Sequence, residues 1–189
     1  MPYLRGERAG KVVGITFDDG YLNNLVHALP VLERHGFSST CYAVSALAGA
    51  TNVWDEANGI AQTPLMTHSQ MRQWLDGGQE IGSHTRSHAS LPSLPDEASQ
   101  QEMASGKSEL ESVTGSPVRH FCYPYGHYEP RHVRMAAAQG FDSATTTQRS
   151  RCHRETDLLE LPRVPVLRST TLPVFWLKLS TAYEDRRSR

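Results

Sequence analysis

Short apolar runs and longer segments of helical period alternate along this chain, and that alternation limits its fold more than any other feature. Strand-like runs cover residues 11–17, 37–44, 80–83, 118–123 and 141–147. Helix-like segments fall between them, over residues 21–35, 67–75, 96–113, 129–139 and 170–183, the last of them amphipathic. In the first helical segment Leu22, Leu25, Val26, Leu29 and Leu32 recur at the spacing of one helix face, while Pro30 predicts a kink or break within it. Thr67 has the chemistry of an N-cap, Gly77 and Gly78 form a stop signal, and Asp96 is placed to cap the long third helix. Residues 49–63 are polar and glycine-bearing and predict a loop. Residues 158–166 predict an extended segment around Pro162 and Pro165. Strands alternating with helices imply parallel βαβ units, and such sheets collect their reactive groups at the carboxyl ends of the strands.

At 189 residues the chain fits a single domain spanning residues 1–189, with enough length to bury a core. A formal net charge of -1 supplies no electrostatic reason to expect nucleic acid or an anionic membrane as a partner. Nowhere is there a run approaching the ~20 apolar residues that span a bilayer. The first eight residues lack the apolar core of a signal peptide. Cys41, Cys122 and Cys152 are odd in number and not spaced as a disulfide framework, which suits a reducing compartment. The expectation is a cytoplasmic protein if the chain is complete, and an exported one if a leader has been trimmed away. The residues from Glu184 onward predict a solvated, frayed terminus.

Four polar clusters fall at predicted strand ends: Asp18 and Asp19, His84 and His88, Tyr125, and Arg163. Taken alone, Asp19-Gly20 is a common turn pair. Two imidazoles four residues apart, together with one carboxylate, make a three-ligand set for zinc or another divalent ion and leave positions open for water and substrate. A metal also resolves the adjacent carboxylates. One Asp ligates the ion while the other takes a proton from metal-bound water, whose pKa falls to about 7 on zinc. Such a site hydrolyses amides or esters through an oxyanion held by the metal and a nearby donor. The chain has no His-Glu-x-x-His, so a zincin-type protease is disfavoured.

Thr16-Phe17-Asp18-Asp19-Gly20, His84-Thr85-Arg86-Ser87-His88 and Tyr123-Pro124-Tyr125-Gly126 resemble, in order and spacing, the first three motifs of the polysaccharide deacetylases. This is carbohydrate esterase family 4, the NodB homology domain, and the resemblance runs from about Lys11 to Tyr183. It implies an α/β fold, a distorted (β/α)7-type barrel. It also implies a metal-dependent hydrolase that removes N-acetyl groups from an amino sugar, oligosaccharide or polysaccharide. Asp18 resembles the family's general base. Asp19, His84 and His88 resemble its metal ligands, with zinc the usual ion and cobalt or nickel possible. The backbone N–H of Tyr125 would assist the oxyanion. Tyr21, directly after the first motif, is a further candidate for contact with substrate. Trp54, in the polar loop, is a candidate for stacking on a sugar ring or for a lid contact, whereas Leu65, Met66 and Trp74 fit packing.

The chain also departs from the family pattern. Cys122 stands where many members carry an Arg that orients the base, and Leu161-Pro162-Arg163 replaces the Leu-x-His that supplies an acid. We expect Arg163 to take over the missing guanidinium and steady Asp18, the alternative being a structural Arg paired with some other acidic neighbour. The leaving-group acid is then unassigned among His127, His27, His132, His153 and Asp18 itself. The region 121–126, with Leu-Pro-Arg downstream, is similar to the branch that includes poly-N-acetylglucosamine deacetylases. Two competing readings stay open. One is a cyclic-imide or allantoin hydrolase on the same scaffold, against which the full ligand set argues. The other is a carbohydrate-binding protein without turnover, against which the two retained carboxylates argue.

Overall fold

A computed structural model describes residues 3–185. It contains a parallel sheet of six strands in sequential order: β1 (Ile15–Phe17), β2 (Ser39–Ala43), β3 (Glu80–Ser83), β4 (His120–Cys122), β5 (Ser143–Arg149) and β6 (Leu161–Arg163). Every neighbouring pair is parallel, so each connection must cross over, and helices α1 (Leu29–His35), α2 (His68–Asp76), α3 (Asp96–Thr114) and α4 (Pro130–Ala138) fill the first four connections, while a helix-free segment joins β5 to β6. The sheet curls into a half-barrel of the (β/α) type, six strands among the described residues where the resemblance implied seven. α5 (Leu172–Ser180) follows β6.

The local signals explain most element ends. Pro30 lies in the first turn of α1, behind a π-helical turn over Asn24–Ala28, so the break expected inside that segment falls at the proline. Thr67 caps α2: its Oγ1 accepts the Gln70 N–H at 3.3 Å, and Gln70 Oε1 accepts the Thr67 N–H at 2.8 Å. Gly36 and Gly115 end α1 and α3 in the left-handed conformation. On α3 the buried residues Ser99, Met103, Gly106 and Leu110 recur every three or four positions and face the sheet. The core forms between sheet and helices from Trp74, Met66, Phe121, Tyr123, Met103 and Leu110, all essentially buried. Cys41 belongs to it, and burial pushes its thiol pKa up to about 12, which makes it inert packing.

Several expectations are corrected. The opening strand begins at Ile15 rather than Lys11, and Val12 and Val13 are exposed because they find no strand partner. The N-cap of α3 is Pro95, with Asp96 inside the first turn, where a carboxylate still favours the helix dipole. α5 is not amphipathic in the expected sense. Leu172 (83% exposed) and Trp176 (63%) face solvent while Lys178 is buried, its ammonium bonded to Glu184 and to the Pro165 carbonyl. The terminus is correspondingly not frayed at Glu184, which is buried, or at Asp185, which pairs with Arg151 at 2.7 Å. The remaining tail, residues 186–189, lies outside the described residues. Among the described residues no helix is long and apolar enough to cross a membrane.

Candidate active site

β1 delivers Asp18 and Asp19 to the carboxyl end of the sheet, and the backbone there separates them. Asp19 adopts φ 71°, a left-handed conformation that Asp tolerates better than most residues because its short side chain bonds locally. Gly20 follows at φ 79°, pressed against β2, where an added Cβ would lie 3.3 Å from the Ala43 Cα. This reversal turns two consecutive carboxylates in different directions, one towards β6 and one towards β3.

Asp19 faces the histidines. Its Oδ1 lies 3.3 Å from His84 Nε2 and 3.3 Å from His88 Nε2, and one ligand atom from each residue falls within 4.8 Å of the others. His84 Nδ1 sits 2.8 Å from the Cys122 carbonyl oxygen. A carbonyl only accepts, so Nδ1 carries the proton and Nε2 keeps its lone pair for a cation. His88 is held by aromatic packing instead. Trp54 stacks on it at 4.2 Å between ring centroids, and Tyr125 meets it edge-on at 4.6 Å. The donor set therefore fits a divalent cation. Two imidazole nitrogens and a carboxylate oxygen converge, and the tautomer of His84 is fixed by the backbone behind it.

Protonation follows the same geometry. Burial opposes the charge on Asp19, but the neighbouring His84 and His88 outweigh it and lower the pKa. Burial also opposes a charged His84, yet Cys122 and Asp19 outweigh it and raise the pKa. At His88 burial dominates and the pKa falls. The Tyr21 hydroxyl stays protonated, its pKa raised by burial and by the charges of Asp19 and Asp55.

Asp18 faces Arg163. The guanidinium donates from Nη1 to Oδ1 at 2.6 Å and from Nη2 to Oδ2 at 2.7 Å, a bidentate pair. Its Nε donates to the Thr146 carbonyl at 2.8 Å, and Nη2 lies 3.4 Å from Cys122 Sγ. The residue in the family's Arg position is thus in contact with the Arg that reaches Asp18 from β6. Burial would raise the Asp18 pKa, but the Arg163 hydrogen bond and charge outweigh it and hold the carboxyl below its ordinary range. The Asp18 side chain is still 32% exposed, so its remaining lone pairs are open to solvent.

Tyr125 occupies the turn Pro124–Gly126 at φ 59°, followed by Gly126 at φ 70°. A Cβ at Gly126 would sit 1.9 Å from Thr147 Oγ1, so only glycine lets this turn lie against β5. The non-glycine residues with positive φ among those described are Asp19, Thr85, His88 and Tyr125, and all belong to these motifs. Left-handed backbone at such residues costs on the order of 1–3 kcal/mol each and persists where the surroundings enforce it.

The structure thus brings together Asp18, Asp19, His84, His88, Arg163, Tyr125, Trp54 and Tyr21. Of the proposed acids, His132 is fully buried and accepts the Glu129 N–H at 2.9 Å in the cap of α4, whereas His27 and His153 are exposed. His127 is exposed with its ring 5.7 Å from Tyr125. Residue-by-residue reasoning missed the Cys122 carbonyl behind His84, because a backbone acceptor carries no sequence signal. It also missed Glu102, which bonds the loop between the two histidines.

A family model described as polysaccharide deacetylase matches residues 5–144. The chain belongs to the polysaccharide deacetylases. YxkH of Bacillus subtilis strain 168, named for the same family, is 30% identical over 156 residues, which are 82% of this chain and 52% of YxkH. The chain therefore spans about half the length of this curated relative. Among solved structures, IcaB from Ammonifex degensii superposes with a TM-score of 0.80 at 25% identity, over 95% of this chain and 78% of that one. A polysaccharide deacetylase from Bacillus cereus gives 0.73 at 27% identity, over 87% of this chain and 50% of that one.

Proposed function

We propose that this chain is a metal-dependent hydrolase that removes N-acetyl groups from amino sugars within an oligosaccharide or polysaccharide. The observation that carries the reading is the divergence of two consecutive carboxylates, Asp19 onto a histidine pair and Asp18 onto a guanidinium. Membership of the deacetylase family and the 27% identity to the Bacillus cereus polysaccharide deacetylase support the substrate class.

Asp19, His84 and His88 would hold the cation, zinc by the character of its donors, with cobalt or nickel able to substitute. When bound, that ion supplies Lewis acidity to water and to the acetamide carbonyl. The protein's own groups do the rest. Asp18, kept ionised by Arg163, accepts a proton from the attacking water. The Tyr125 backbone N–H donates to the oxyanion that forms on the former carbonyl oxygen. Collapse expels the sugar nitrogen, which must be protonated as its bond to the acyl carbon breaks. Asp18 holds the proton taken in the first step and can return it there, giving acetate and a free amine. Trp54 has one face against His88, so its contribution to sugar binding is through the other face or the ring edge.

The test is acetate release from N-acetylglucosamine oligomers by zinc- or cobalt-loaded protein, with Asp18→Asn as the control. Release by the wild type, falling about 10²–10⁴-fold in the variant, supports the proposal. Equal release by both would reject Asp18 as base. Stoichiometric binding of metal and sugar without acetate would favour a binding protein.

A further inference from the structure

His84 and His88 lie on one loop, and that loop has no regular hydrogen-bonding pattern of its own. Thr85 (φ 65°) and His88 (φ 63°) both occupy the left-handed region without being glycine. Something outside the loop must hold them there. The N–H of His88 donates to Thr85 Oγ1 at 3.0 Å, which closes the turn locally. The backbone N–H groups of Arg86 and Ser87 point instead to helix α3. There the Glu102 carboxylate takes both on Oε2, at 3.0 and 2.8 Å, and takes the Ser87 hydroxyl on Oε1 at 2.8 Å. One carboxylate thus satisfies three donors from the two residues in the middle of the loop.

The helix also approaches from a second point. A Cβ on Gly106 would lie 2.7 Å from the Thr85 carbonyl carbon and 2.9 Å from the Arg86 nitrogen. Gly106 sits one turn beyond Glu102 on the same face, so α3 seats the loop backbone directly on its own. The loop's carbonyls are held from the other side, where Thr85 O and Arg86 O accept the N–H groups of Ser45 and Ala46 at 3.4 and 2.9 Å.

We infer that Glu102 is a positioning residue for the cation site, its carboxylate holding the loop between the histidines in the one conformation that aims both imidazoles at Asp19. This rests on the metal reading of Asp19, His84 and His88. The physical reason is preorganisation. Without Glu102 the Arg86 and Ser87 N–H groups turn to water, the two left-handed residues relax, and His88 must be re-ordered each time a cation binds.

The test is zinc affinity, read by competition with a chromophoric chelator, for wild type, Glu102→Gln and Glu111→Gln. Glu111 serves as the control because it makes a carboxylate–backbone bond near the other end of α3, accepting the Val118 N–H at 3.0 Å away from the loop. Glu102→Gln is expected to weaken zinc binding about 10-fold or more, the range seen when groups behind metal ligands are removed. Amide exchange at Arg86 and Ser87 should rise in the same variant. Gly106→Ala, which crowds the loop from below, should weaken zinc in the same direction. Zinc binding by Glu102→Gln within twofold of wild type would overturn the inference, as would equal weakening in the two glutamine variants. A wild-type chain that binds no divalent cation would overturn the metal reading itself, and this inference with it.

Discussion

Replacing Arg163 by Met removes the two hydrogen bonds that hold Asp18 and leaves the aliphatic stem in place. A hydrogen bond to a charged group is worth about 1.5–3 kcal/mol. Breaking a buried pair costs about 3–5 kcal/mol because one charge is left without a partner. Here the side chains are 20% and 32% exposed, so water screens part of that loss, and a stability cost of about 2 kcal/mol is the expectation. The effect on the reaction is larger in kind. Asp18 is held below its ordinary carboxylate pKa by Arg163, so removing the guanidinium raises it. In a plot of kcat/KM against pH the acid limb, where the base must lose its proton, should move to higher pH. Even on the plateau, an untethered carboxylate should cost about 10²-fold in turnover. Arg163→Lys keeps a charge but not the two-pronged contact, and should fall between the two. Stability follows the same sign. A depressed folded pKa contributes stability above the ordinary carboxylate range, and that stability is lost as pH falls through the depressed value. Acetate release measured across pH for the three proteins checks the reasoning. An unmoved acid limb with intact turnover in Arg163→Met would refute it and make Arg163 a structural residue.

Two further outcomes follow from the structure. Thr67→Ala removes the cap of α2 and should cost about 1 kcal/mol, lowering the melting temperature by roughly 2–4 °C with zinc affinity unchanged. Zinc at 100 times its dissociation constant should stabilise the wild type by about 2.7 kcal/mol in thermal melts, and His84→Ala should lose that increment.

The parts of the fold that were legible in advance have local causes. Residues 80–83 form a strand as read, Thr67 caps where its hydroxyl can reach the Gln70 N–H, and Pro30 breaks the first helical segment where its missing N–H requires. The length of β1 was not legible, because Val12 and Val13 have strand chemistry but no neighbouring strand to pair with. The inverted burial of α5 was equally hidden, since Lys178 is drawn inward by Glu184 and the Pro165 carbonyl rather than by its own pattern. In the site, Asp18, Asp19, His84 and His88 showed themselves by spacing within short motifs. Arg163 showed itself as a polar residue at a strand end, but Asp18 could be named as its partner only because a resemblance exposed a gap at Cys122. The contact itself joins β1 to β6 across the curl of the sheet, between residues 145 apart. Glu102 looks like any other acid on the surface of a helix until the loop it holds is seen.

The central claim is that this site cleaves an amide. It is tested most directly by counting acetate and new primary amine together as zinc-loaded protein acts on N-acetylglucosamine oligomers. The account predicts one amine for each acetate, and both falling about 10²–10⁴-fold in Asp18→Asn. Acetate without matching amine, or release undiminished in Asp18→Asn, would contradict it.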